Sequence, residues 1–342
     1  MTLMTANQTA INMSVHPSST DSIAVWQNTI NQAIAAIEWP THPSHLYRPI
    51  QYTLEHGGKR LRPLLCLLGA DVMGGSVTEA MPAALATELF HNFTLLHDDI
   101  MDGAPLRRGR PTVVAAHGAN SAILSGDALM IAAYARLQAY DGIKLAQLFG
   151  VFNRTADEVC TGQQYDMDIA DRDWVDTAEY MRMIRLKTAV LLGAALQMGA
   201  ITAGASATAQ QCLYEFGVCA GLAFQIQDDV LDVYGDPNSF GKKAGGDIDA
   251  GKNSYLRVRA MEVADEASRE ALLQWYSSPP GELRVREVKR LFDHLGVHQL
   301  AIGQMNALLQ EAKSSLIATP DASVDSLERL WTFAQTLVKR DN

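Results

Sequence analysis

Along most of this chain, apolar residues recur at the three- and four-residue spacing of a helix, in runs far longer than a strand requires. Ile23 to Ile37, Val77 to Asp102, Asn120 to Tyr140 and Ala205 to Tyr234 carry no proline beyond their first turns, so each predicts one long helix. The stretches "HPSH" at Pro43, "GG" at Gly74, "APLRRGRP" at Pro105, "YDG" at Gly142, "GDPNS" at Pro237 and "SPPG" at Pro279 read as the turns between helices. No convincing β-hairpin signal stands out. The pattern predicts an all-α chain, a single large helical bundle of about a dozen helices over residues 22–342, preceded by a mobile polar tail over residues 1–21.

Composition agrees with a large core. Of 342 residues, 48% are hydrophobic and 19% charged, enough to bury a core without disulfides. The net charge of -10 excludes nucleic acid as the main partner, because such binding needs a basic stripe. Cys66, Cys160, Cys212 and Cys219 form no C-x-x-C pair and read as reduced thiols of a cytoplasmic protein. No Lys or Arg precedes Arg48, so the start lacks the basic region of a signal peptide. Thr188 to Ala209 approaches the length of a membrane span, but Gln197 and three glycines mark it as a core helix, and no membrane span is expected.

One short pattern recurs at long range. "LLHDDIMD" places Asp98, Asp99 and Asp102 at i, i+1 and i+4, and "QIQDDVLD" repeats the spacing with Asp228, Asp229 and Asp232. On a helix, i and i+4 share a face, so each set presents two carboxylates side by side and a third at the edge. Clustered carboxylates beside apolar runs repel one another unless a cation sits between them. Oxygen ligands without histidine or thiolate favour Mg²⁺, which takes a few carboxylates together with water and phosphate oxygens. Glu88 and His91 spell Glu-x-x-His, half of a di-iron bundle site, but no second copy exists to complete one.

Basic residues surround these acids. Arg107, Arg108 and Arg110 follow the first aspartate helix after a proline turn, where forked guanidinium groups suit phosphate oxygens. "HGGKRLRP" gathers Lys59, Arg60 and Arg62 after two glycines that free the backbone for close approach to an anion. "FGKKAGGDIDAGK" sets Lys242, Lys243 and Lys252 in a glycine-rich loop that reads as a lid; its spacing is not that of a Walker A loop.

Taken together and in order, "GGKRLRP", "LLHDDIMDGAPLRRGRPT", "GQQYD", "RLKTA", "FQIQDDVLD" and "FGKKAGGDIDAGK" resemble the motifs of trans-isoprenyl diphosphate synthases, over roughly Ile50 to Arg257. The resemblance implies the isoprenoid synthase fold, a helical bundle around a central cavity, and a homodimer. It implies that three Mg²⁺ ions held by Asp98, Asp99, Asp102, Asp228, Asp229 and Asp232 grip the diphosphate of an allylic substrate. Lys59, Arg62, His91 and Arg108 match the residues that hold isopentenyl diphosphate. Arg107, Lys187, Gln225, Lys242 and Lys252 match contacts to the allylic diphosphate, and Thr188 lies beside the developing cation. Gln163 and Asp166 of "GQQYD" sit near the metal site. Electrostatic stabilisation of the departing diphosphate would lower the barrier to an allylic cation, and closure of the lysine lid would exclude water.

In the family so resembled, the residue five before the first aspartate, here Phe93, floors the tunnel for the growing chain. Five residues of helix rise by about 7.5 Å, somewhat more than one isoprene unit. Thr94 beside it is small, Phe90 lies one turn deeper, and the first motif carries no insertion, so the expectation is geranylgeranyl diphosphate, with farnesyl diphosphate the alternative. A class I terpene cyclase would carry a different second motif, and a non-catalytic regulatory subunit would be expected to have lost one; both aspartate motifs stand intact here.

Overall fold

The computed structural model describes residues 19–55, 57–170, 172–235 and 244–338. The helices are α1 (Ser19–Ala35), α2 (Ser44–Glu55), α3 (Leu61–Val72), α4 (Val77–Met101), α5 (Val113–His117), α6 (Ala119–Leu137), α7 (Gly142–Ala170), α8 (Thr177–Ile184), α9 (Val190–Thr202) and α10 (Ala207–Tyr234). After them come α11 (Gly246–Asp249), α12 (Tyr255–Val263), α13 (Glu266–Ser277), α14 (Glu282–His294), α15 (Val297–Ile317) and α16 (Val324–Val338). The long ones, α1–α4, α6, α7, α9, α10 and α13–α16, match the expected dozen. The tail expected over residues 1–21 lies outside the described residues up to residue 18, and α1 starts at Ser19. Lys242 and Lys243 of the expected lid, with the Pro237 turn, also lie outside them.

The long apolar runs end where caps and turns allow. Ser76 precedes α4 and its hydroxyl accepts from the Thr78 amide, and Ser206 accepts from Ala209 to start α10, satisfying amides that a helix start otherwise leaves without a partner. The long helices pack in two joined layers of core. One gathers residues chiefly from α1–α7, α9 and α16, the other chiefly from α8 and α10–α15. α10 serves both, giving Leu213 and Phe216 to the first and Val218, Leu222 and Ile226 to the second. Fully buried leucines such as Leu64, Leu67 and Leu68 each contribute about 2 kcal/mol. Every residue of α9 is buried. The helical run Thr177–Thr202 is apolar and long enough to cross a membrane, yet 78% of its most apolar window is buried inside the bundle, where it serves as core.

One element departs from the expectation of no hairpin. Leu106–Arg107 pairs antiparallel with Arg110–Pro111, in the register Leu106 with Pro111 and Arg107 with Arg110. The two residues between, Arg108 (φ 53°) and Gly109 (φ 74°), are both left-handed, as the tightest hairpin turn demands. Arg-Gly in place of the commoner Asn-Gly or Asp-Gly, with no alternating strands to either side, hid this turn from the pattern.

Candidate active site

The two aspartate helices present the faces their spacing implies. On α4, Asp98 and Asp102 share one side, while Asp99, one residue on, points to the hairpin. Arg107 reaches back from that hairpin, its Nε donating to Asp99 Oδ1 at 2.7 Å and its Nη2 to Asp98 Oδ2 at 3.2 Å. From the opposite side, Lys187 Nζ lies 3.3 Å from Asp98 Oδ1 and donates to Asp166 Oδ2 at 2.6 Å. Asp98 and Asp99 are thus held by the chain's own cations. Burial opposes the Lys187 ammonium, but Asp98 and Asp166 outweigh it and hold its pKa above lysine's ordinary value. Asp102 is exposed just past the end of α4, where partial loss of solvent and then the charge of Asp98 push its carboxyl up, while Lys187 and Lys252 pull it down.

Lys187 and Thr188 project from a π-helical turn, Arg185–Ala189, between α8 and α9. Such a turn costs regular hydrogen bonding and is found mostly where a side chain must be re-aimed. It nests against Gly162 of α7. A Cβ there would lie 2.7 Å from Lys187 Cα, so only glycine lets α7 come close enough for Asp166 to meet Lys187.

In the second motif, Asp229 is committed to the protein interior. Its Oδ2 accepts from the Tyr180 hydroxyl at 2.5 Å and the Tyr255 amide at 2.7 Å, and its Oδ1 from Gln225 Nε2 at 3.3 Å. Burial pushes its carboxyl up to about 7 against those hydrogen bonds. Asp232 Oδ2 accepts from the Asp247 amide at 2.9 Å and so starts α11, whose following turn carries Lys252; Lys252 Nζ lies 3.7 Å from Asp247 Oδ1. Asp228 and Asp232 share the α10 face and are half-buried. Among the described residues, no three acidic, histidine or cysteine side chains converge into a closed cation cage. Carboxylates without a histidine or thiolate beside them suit an ion that takes its other ligands from water and a phosphate.

A second charged cluster lies on the other side of α4. Arg62 Nη1 donates to His91 Nε2 at 3.0 Å. Burial, then Arg62, Arg108, Arg107 and Arg60, hold His91 well below its ordinary pKa, so the ring is neutral with its proton on Nδ1. Burial also brings Arg62 down to about 10, against the pull of Glu88. Arg108 donates to the Gly57 carbonyl and ties the hairpin to the glycine turn that carries exposed Lys59. Glu88, the other half of Glu-x-x-His, pairs with an arginine: Arg60 Nη1 reaches its Oε1 at 2.6 Å, and both side chains are only 5% exposed.

Between these charged groups opens a cavity of about 280 Å³. Arg62, His91, Asp98, Lys187 and Thr188 stand on its wall, with Phe93 and Thr94 of α4 and Val159, Gln163 and Met167 of α7. Phe90 is not on that wall; it is 1% exposed and packs behind Phe93 with ring centroids 5.6 Å apart. The structure therefore brings Arg62, His91, Asp98, Phe93, Thr94, Lys187 and Thr188 to one chamber. Asp99, Asp102, Gln225, Asp229 and Lys252 are not on its wall, although the charge of Lys252 reaches Asp102. Sequence reasoning missed Tyr180, Tyr255 and Asp247; the first two reach Asp229 from 49 and 26 positions away, and no local pattern marks them.

A helical bundle with two aspartate-rich helices, and a chamber walled by both charged and apolar side chains, is the architecture of the isoprenoid synthases. A profile of the polyprenyl synthetase family matches residues 43–295. A short chain isoprenyl diphosphate synthase of Methanothermobacter thermautotrophicus is 37% identical over 301 residues, covering 88% of this chain and 92% of the relative. A geranylgeranyl pyrophosphate synthase of Geoglobus acetivorans is 35% identical over 92% of this chain and 96% of its own. A geranylfarnesyl diphosphate synthase of Aeropyrum pernix is 34% identical over 87% and 95%. Among solved structures, a geranylgeranyl pyrophosphate synthase superimposes with a TM-score of 0.88 at 42% identity, over 94% of this chain and 99% of that one. The chain belongs to the polyprenyl synthetase family and is a prenyltransferase.

Proposed function

We propose that this chain condenses isopentenyl diphosphate with an allylic diphosphate and releases geranylgeranyl diphosphate as its main product. The observation that carries the reading is the chamber itself, charged at Asp98, Lys187 and Arg62 and apolar down to Phe93. Arg62, Lys59 and Arg108 would hold the diphosphate of isopentenyl diphosphate, with His91 keeping Arg62 aimed. Asp98, Asp102, Asp228 and Asp232 would hold Mg²⁺, three ions by the family resemblance. Their oxygen-only donor set fits that ion, whereas Asp99 and Asp229 serve as the anchors that orient Arg107 and α10. Bound Mg²⁺ would neutralise charge on the leaving diphosphate.

Lys187, Arg107 and Lys252, with Lys242 beyond the described residues, would take up charge on the same oxygens as the allylic carbon–oxygen bond breaks and pyrophosphate leaves with the electron pair. Thr188, on the chamber wall, would lie beside the developing allylic cation. The double bond of isopentenyl diphosphate supplies the pair for the new carbon–carbon bond, and the proton it then loses goes to pyrophosphate, since His91 is engaged with Arg62. Gln225 acts through Asp229. The exposed apolar residues Ile123, Leu124 and Ile131 of α6 support a homodimer, and four free thiols suit the cytoplasm.

Mass analysis of dephosphorylated products tests the reading: twenty-carbon alcohol is expected from purified protein, Mg²⁺, isopentenyl diphosphate and each allylic starter. Asp98→Ala is expected to abolish turnover. No prenyl product from the unmodified protein would overturn the reaction. A twenty-five-carbon product, in line with the geranylfarnesyl relatives, would overturn the length alone.

A further inference from the structure

His97, one residue before the first aspartate motif, has no role in binding either diphosphate, yet it stands on the chamber wall. Its ring meets Phe93 edge to face, centroids 4.7 Å apart and planes at 65°. Its other side lies against α6, with Nε2 3.2 Å from the Ile123 carbonyl; since a carbonyl only accepts, Nε2 carries the proton. Asp127 Oδ1 lies 3.7 Å from the same nitrogen. The ring fits there because residue 126 is glycine. A Cβ at Gly126 would come 2.5 Å from His97 Cδ2, a separation that real side chains do not tolerate.

We propose that Gly126 and His97 form a wedge that sets the length of the product, by fixing where Phe93 stands in the chamber. Phe93 is backed on its far side by Phe90, which is itself braced on Phe152 at 5.3 Å, so the floor has no room to retreat. The His97 ring is bounded by the α6 backbone on one side and by Phe93 and the chamber on the other. Volume added at 126 must therefore push the ring into the chamber, and removal of the ring must free Phe93 to swing. The imidazole end is the soft partner in this contact, because the side chain turns more cheaply than two packed helices separate.

The inference rests on the prenyl-chain reading of the chamber, and the experiment separates the two. Product lengths and the ratio of kcat/KM for fifteen-carbon over ten-carbon allylic starters are measured for the unmodified protein, Gly126→Ala, His97→Ala and the double variant. Any prenyl product from the unmodified protein secures the first reading; only the shift between variants bears on the wedge. Gly126→Ala is expected to end one isoprene unit earlier, with that ratio lowered about tenfold, the scale on which a pocket discriminates small apolar increments. The double variant is expected to return to the unmodified length or beyond it. An unchanged distribution in Gly126→Ala, or a double variant that keeps the shortening, would overturn the wedge. If circular dichroism shows that Gly126→Ala does not fold, His97→Ala alone decides: longer products are expected, and an unaltered distribution refutes the proposal.

Discussion

Removing the Glu88 carboxylate probes how the isopentenyl diphosphate end of the chamber is built. Arg60 opens α3 in a left-handed conformation, φ 48° and ψ 42°, which costs a non-glycine residue about 1 kcal/mol or more and persists only when its surroundings enforce it. Three bonds do so: Nη1 to Glu88 at 2.6 Å, Nη2 to the Leu54 carbonyl at 2.7 Å and Nε to Asn31 Oδ1 at 3.2 Å. In Glu88→Ala the guanidinium keeps its carbonyl and amide partners but loses the carboxylate it pairs with, while remaining almost fully buried. The expected loss is about 3–5 kcal/mol, the scale of an ion stranded in the interior. The double variant Arg60→Met, Glu88→Leu removes both charges and is expected to lose less than Glu88→Ala alone. Urea unfolding followed by tryptophan fluorescence measures both. A Glu88→Ala loss below about 1 kcal/mol, or a double variant worse than the single, would refute the account of Arg60 as a buried, anion-dependent anchor.

Three further outcomes are expected. Phe93→Ala should lengthen the product, read by the same mass analysis, and an unchanged distribution would remove Phe93 as the floor. Gly162→Ala should leave helicity intact by circular dichroism while lowering kcat on the order of a hundredfold, because the added methyl displaces the π-helical turn that aims Lys187 and Thr188; full activity would show that this turn tolerates the shift. His91 gives a pH dependence. Its folded pKa lies well below 6.5, so as pH falls through 6.5 the unfolded chain takes up a proton that the folded chain refuses. Stability therefore declines by up to about 1.4 kcal/mol per pH unit from this group until its folded pKa is reached. His91→Gln should flatten that slope between pH 6.5 and 5, and an equal slope in both proteins would count against a buried neutral ring.

Periodicity alone was enough to determine an all-helical bundle, since the apolar stripes of α4 and α10 run long, with Pro82 near the start of α4 the one proline inside either. The i, i+4 spacing likewise determined that Asp98 and Asp102 share a face, as do Asp228 and Asp232, with Asp99 and Asp229 at the edge; helical geometry is local and is written in the spacing. What each edge carboxylate does was decided only by tertiary structure. Asp99 meets Arg107 because two left-handed residues fold the chain back, and Asp229 meets Tyr180 because α8 packs beside α10. The fate of Glu-x-x-His was decided the same way, by an arginine 28 positions earlier that takes the glutamate and an adjacent guanidinium that takes the histidine. Nor does any short pattern mark the π-helical turn or the slot for His97, because both depend on how closely two helix backbones approach. Spacing along one helix orients a side chain; which partner waits for it depends on contacts between segments far apart in the chain.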